Sequence, residues 1–106
     1  PGWGLLPASK SVWLPSGSMP SLAARPLLWR VIEVLLAHGG AASKEELVRG
    51  AWEEHEYHPL RHDSRLHVAV HKLREIIEDQ PALPARLVTT EDGYRLVGPV
   101  RVVGDA

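Results

Sequence analysis

The sequence predicts an α+β fold: a small N-terminal antiparallel sheet, then three helices, then a C-terminal β-hairpin. Three observations carry that reading. Residues 1 to 25 hold Pro7, Pro15 and Pro20 with Gly2, Gly4 and Gly17, a density of proline that excludes a helix. Apolar residues then recur at helical spacing through residues 26 to 78. Beyond them, Glu91-Asp92-Gly93 separates two β-prone runs, and an Asp-Gly pair in that setting is a strong hairpin signal.

Each element has its own justification. Trp3 to Leu6 and Ser11 to Leu14 are short strand-like runs, and Pro15-Ser16-Gly17-Ser18 is turn chemistry. Trp3, Leu5, Leu6, Val12, Trp13 and Leu14 give this quarter more to bury than a linker carries. Pro26 suits the first turn of a helix. Leu27, Leu28, Val31, Ile32, Leu35 and Leu36 follow as one stripe, and Gly39-Gly40 stops it.

Ser43-Lys44-Glu45-Glu46 has the form of a capping box. It opens a short second helix whose apolar side is Leu47, Val48, Ala51 and Trp52. Residues 53 to 62 are polar, contain Pro59 and are expected to form a loop, with Asp63 or Ser64 capping the third helix. At about 100° per residue, Leu66, Ala69, Val70, Leu73, Ile76 and Ile77 share one arc of that helix. Ser64, His67, His71, Arg74, Glu75 and Glu78 fall on the opposite arc, flanked by Arg65 and Lys72. Leu87 to Thr90 and Tyr94 to Val97 form the hairpin. Val100 to Val103 adds a further strand or is an apolar tail packing on another domain.

The 106 residues make one domain, with a sheet at 1–25, a three-helix core at 26–78, a hairpin at 85–98 and a tail at 99–106. Hydrophobic residues reach 44%, enough for a core. The absence of cysteine excludes a disulfide framework and thiolate chemistry. No apolar run approaches the roughly 20 residues that span a bilayer. A start at Pro1-Gly2 reads as a domain cut from a longer protein. The net charge of -1 lacks the excess of base that advertises nucleic acid.

The order sheet, helix, helix, loop, amphipathic helix, hairpin is that of a winged helix-turn-helix. Such a fold lays its last helix in a major groove roughly 12 Å wide, with the hairpin wing beside it. Ser43-Lys44-Glu45-Glu46-Leu47 with Ala51-Trp52 resembles the second-helix motif of the OmpR/PhoB-type DNA-binding domain. Leu66-x-Val68-x-Val70-x-Lys72-Leu73-Arg74 is similar to its recognition helix, and Leu87-Val88-Thr89-Thr90 with Gly93-Tyr94-Arg95-Leu96 to its wing.

The resemblance implies the output domain of a cytoplasmic, bacterial, response-regulator-like transcription factor, working on double-stranded DNA and forming a dimer there or acting alone. It implies DNA contact by Arg65, His67, His71, Lys72 and Arg74 of the third helix, with Lys72 and Arg74 the foremost candidates. It adds Thr89, Thr90 and Arg95 of the wing, and Trp52 against the backbone near the turn. The loop, with Glu53, Glu54, Glu56 and Tyr57, would meet RNA polymerase or another domain of the same protein.

Other readings stand beside this one. From Arg61 through Glu78 the net charge is only +1, and Glu91 and Asp92 put carboxylates on the wing. Carboxylates beside phosphates weaken the counterion-release term, so the alternative is a protein-interaction module with a degenerate DNA face. His67 and His71, one turn apart, could bind zinc, but no thiolate or HExxH accompanies them. Surface histidines are the simpler reading, with protonation adding positive charge near pH 6. Trp13, Trp29 and Trp52 read first as core aromatics. Ser43 is explained as a cap, and no acid orients it with His38, so neither an enzyme nor a cofactor is expected.

Overall fold

Two small sheets bracket three helices in the computed structural model, which describes residues 2–53, 55–98 and 100–103. β1 (Trp3–Leu6) and β2 (Ser11–Trp13) pair antiparallel. β6 (Val100–Val102) joins β1 in parallel, giving the order β2-β1-β6. Of the two readings of Val100 to Val103, the further strand is the one formed. Parallel pairing needs a long crossover, and here nearly the whole chain supplies it.

α1 (Pro26–Ala37) buries Leu28, Trp29, Val31, Ile32 and Leu35. It stops at Gly39 and Gly40, whose φ values of +74° and +102° favour glycine. The Gly40 amide returns 2.7 Å to the Leu35 carbonyl. The chain then forms β3 (Ala41–Ser43), an element the sequence pattern had not suggested. α2 (Lys44–Trp52) opens with both bonds of the capping box: Glu46 N–H donates to Ser43 Oγ at 3.1 Å, and Ser43 N–H to Glu46 Oε1 at 2.9 Å.

α3 (Pro59–Ile77) starts a full turn before the expected site. Pro59 begins the helix instead of lying in a loop, because the first helical position has no use for an N–H. His62 Nδ1 accepts the His58 N–H at 3.0 Å, the reach-back usually supplied by Glu or Gln. Asp63 and Ser64 lie within the helix and do not cap it. The connecting loop thus shrinks from 53–62 to 53–58.

β4 (Leu87–Thr89) and β5 (Gly93–Leu96) form the wing, and β5 also pairs with β3, in the order β3-β5-β4. Gly93 lies at the start of β5 opposite Ser43, and a Cβ there would come within 2.0 Å of the Ala42 carbonyl oxygen. This glycine serves the close approach of two strands, not the turn itself. The core gathers Trp3, Leu5, Val12 and Leu22 with the buried faces of the helices, Leu87, Tyr94 and Leu96. Trp3 Nε1 donates to the Val97 carbonyl at 2.8 Å, tying the first sheet to the foot of the wing.

Candidate nucleic-acid interface

α3 presents one face to the core and another to solvent. Leu66, Ala69, Val70, Leu73 and Ile77 are buried. Arg61, Ser64, Arg65, His67, Val68, His71, Lys72 and Glu75 are exposed. Ser64 and Val68 form the crest of that face, for both line the grooves on either side of it. Val68 is half exposed, at 50%. The helical projection left it off both arcs. An apolar residue outside the buried arc was the signal that it serves the outward surface.

The groove on the α1 side has a volume of about 520 Å³. Its floor is Pro26, Leu27, Leu28, Trp52 and Ala69, Val68 stands at its rim, and its cations are Arg25, Arg65 and Lys72. No carboxylate lines it among the described residues. None of the three cations makes an ion pair or a side-chain hydrogen bond among the described residues. Trp52 is half buried at the end of α2, with one side on the core and the other toward this groove.

On the wing side the cleft is lined by Lys44, Asp63, Ser64, Leu66, His67, Val68 and Tyr94. Its one carboxylate is engaged: Asp63 pairs with Lys44 at 3.7 Å and accepts the Tyr57 hydroxyl. His71 Nε2 lies 3.1 Å from Glu75 Oε1. Of the acids between Arg61 and Glu78, Asp63 is paired with Lys44 and Glu78 is turned inward, which leaves Glu75 beside His71 as the exposed carboxylate of the segment.

Arg74 has a different setting from the one expected of a leading DNA contact. Its Nε donates to the Leu87 carbonyl at 2.9 Å and its Nη2 to Thr89 Oγ1 at 3.0 Å. The guanidinium also lies 5.6 Å from the centre of the Tyr94 ring, within cation–π range. Arg74 therefore fastens the wing to α3 and engages Thr89 in doing so. Thr90 shapes the wing turn: its Oγ1 accepts the Gly93 N–H at 3.1 Å and donates to Asp92 at 3.4 Å. The Asp92 carbonyl accepts the Lys44 N–H at 2.9 Å, joining the turn to the start of α2. Arg95 is exposed on β5 with no side-chain partner among the described residues.

Glu78 is corrected from the polar arc to the interior, at 8% exposure. Its carboxylate accepts the backbone N–H groups of Ala85, Arg86 and Leu87 at 2.8 to 3.0 Å. Arg86, also buried, donates to the Ile77 carbonyl at 2.9 Å. The two residues weld the end of α3 to the start of β4. No sequence spacing signalled this, because the pairing depends on how the 78–86 loop folds back.

The loop residues proposed for protein contact separate. Glu53 pairs with Arg30, and Glu56 lies 3.2 Å from His58 Nε2. Tyr57 turns inward against the core and donates to Asp63. Burial, then the Asp63 carboxylate, push its phenol up to about 12. Glu54 lies outside the described residues.

Three helices, the third braced by a β-hairpin on one side and the two shorter helices on the other, define a winged-helix domain. The family model described as "Transcriptional regulatory protein, C terminal" matches residues 21–96, and the chain belongs to that OmpR/PhoB-type family. Among solved structures, the one titled "DNA binding domain of E. coli CadC" is similar, with a TM-score of 0.56 and 21% identity. The match covers 88% of this chain and 83% of that one, a likeness of fold. A search of curated proteins found no match. No helix among the described residues is long and apolar enough to cross a membrane.

Proposed function

We propose that this domain is the DNA-binding output of a transcriptional regulator. α3 lies in the major groove and the β4–β5 wing on the flanking backbone. One observation carries the reading: the groove-lining flank of α3 gathers Arg65 and Lys72, which have no ion-pair partner and no neighbouring carboxylate in the groove among the described residues. Phosphate contacts of this kind supply affinity and register, while base edges supply specificity. Ser64 and Val68 on the crest, with the exposed His67 and His71 beside them, are the side chains available to meet bases. A valine there suits the methyl group of thymine. Arg95 is the wing's candidate for a phosphate.

Anisotropy titration of a mixed-sequence duplex tests this. Affinity should fall with salt by several units of log–log slope, and Lys72→Ala should reduce the slope by about 0.9. Absence of salt-dependent binding at low ionic strength would overturn the reading. The same domain offers a separate protein contact at the start of α3, where Leu60 is fully exposed beside Arg61. The resemblance puts a polymerase contact in residues 53 to 62, and the exposure of Leu60 supports it as an apolar contact of that stretch. Leu60→Asp should leave duplex binding intact and weaken capture of RNA polymerase in a pull-down, and unchanged capture would remove Leu60 from that role.

A further inference from the structure

The groove between α1 and α3 continues past the recognition helix. Its far wall is the start of α1, where Arg25 faces Arg65 and Lys72 across an apolar floor. Arg25 is exposed and makes no ion pair or side-chain hydrogen bond among the described residues. It holds the N-cap position of α1 without capping it, and no acid occupies the first turn. The sign of the helix dipole at this end is also positive. Among the described residues, every charge on this groove thus has one sign and lacks a compensating partner.

We propose that the groove seats the sugar–phosphate backbone of one DNA strand at the border of the major groove, with Arg25 as a phosphate contact. This rests on the DNA reading of α3. Charge complementarity selects a polyanion. Continuity selects the duplex already docked on α3, because Ser64, Arg65, Val68 and Lys72 belong both to the helix's outward face and to this groove. An open trough with an apolar floor suits deoxyribose between phosphates, with Trp52 and Leu27 against the sugar. The footprint then extends from α3 to α1, on the side away from the wing.

Arg25→Ala, Arg25→Lys and Arg101→Ala should be compared with the unaltered domain on a mixed-sequence duplex of about 30 base pairs across a salt series. Arg101 lies on the remote β2-β1-β6 sheet and has no partner among the described residues. Removing one phosphate contact lowers the salt slope by about 0.9. Arg25→Ala should lose that increment and weaken binding several-fold, Arg25→Lys should restore both, and Arg101→Ala should change neither. The thermal midpoint should be unmoved in all three. If the unaltered domain binds with a steep slope and Arg25→Ala binds identically, the groove proposal falls and the α3 reading survives. If the unaltered domain does not bind duplex DNA at low salt, both fall. Loss of poly-glutamate binding in Arg25→Ala, with duplex binding intact, would give the groove to an acidic protein and overturn the proposal.

Discussion

The two flanks of α3 treat charge in opposite ways. On the α1 side, Arg25, Arg65 and Lys72 stand over an apolar floor with no partner among the described residues. On the wing side, Arg74 is engaged with Leu87, Thr89 and Tyr94, and Lys44 with Asp63. The wing tip itself carries Glu91 and Asp92. Similar residue types thus stand without a partner among the described residues on one flank and hold the fold on the other. What separates them is whether a carbonyl, hydroxyl or carboxylate lies within reach. A net charge near zero therefore says little about binding, because internal pairing removes some charges and leaves others free.

The contrast yields graded expectations. Gly93→Ala should be the most severe change, since the added methyl meets the Ala42 carbonyl oxygen at 2.0 Å and forces β5 from β3. We expect a loss of about 3 kcal/mol or more, at the upper end for one substitution, measured by urea denaturation. Arg74→Ala should cost about 2 kcal/mol in stability by removing two hydrogen bonds from a charged donor and the Tyr94 contact. Lys72→Ala should cost almost none and appear only in DNA binding. If Arg74→Ala left stability intact, the division of labour between the flanks would be wrong.

Ser43→Ala should cost about 1 kcal/mol through loss of the cap at the start of α2, by the same denaturation assay. The capping box also has an acid limb. The Ser43 N–H holds the Glu46 carboxyl below its ordinary value of 4.5. Its stabilising contribution is therefore complete above about 4.5 and is lost as pH falls through the lower folded value. Glu46→Gln should flatten that part of the stability profile.

The smallest effect concerns Tyr57. Its folded value, up to about 12, lies above the ordinary 10. The neutral phenol is thus favoured in the fold, and this contribution is present below 10 and vanishes as pH rises through 12. The chain has two tyrosines. Ultraviolet titration should show a late phenolate step that Tyr57→Phe removes.

Legibility in the sequence followed the range of the interactions. The cap at Ser43, the stop at Gly39-Gly40 and the buried arc Leu66-Ala69-Val70-Leu73 act within a few residues, and periodicity exposes them. The start of α3 was misjudged because Pro59 serves equally as a loop residue or as a first helical position. The reach-back of His62 decides between them. β3 was invisible because Ala41-Ala42-Ser43 has no strand pattern of its own and exists through its pairing with β5. Among candidate site residues, Arg65, His67, His71 and Lys72 are exposed as expected. Arg74, Thr89 and Thr90 are engaged in structure, and Arg25 and Val68 were not anticipated.

By itself the sequence determined the class of fold, the number of helices, the wing and the family, because each rests on local chemistry repeated along the chain. Tertiary structure decided which charges are free. Glu78 reaches the amides of residues 85 to 87, Arg74 reaches β4 and β5, and Arg25 comes to face Lys72 across a groove only when α1 and α3 pack. An ionisable side chain extends several ångströms from its backbone, and its partners are chosen by distance in space. Position along the chain cannot specify that choice.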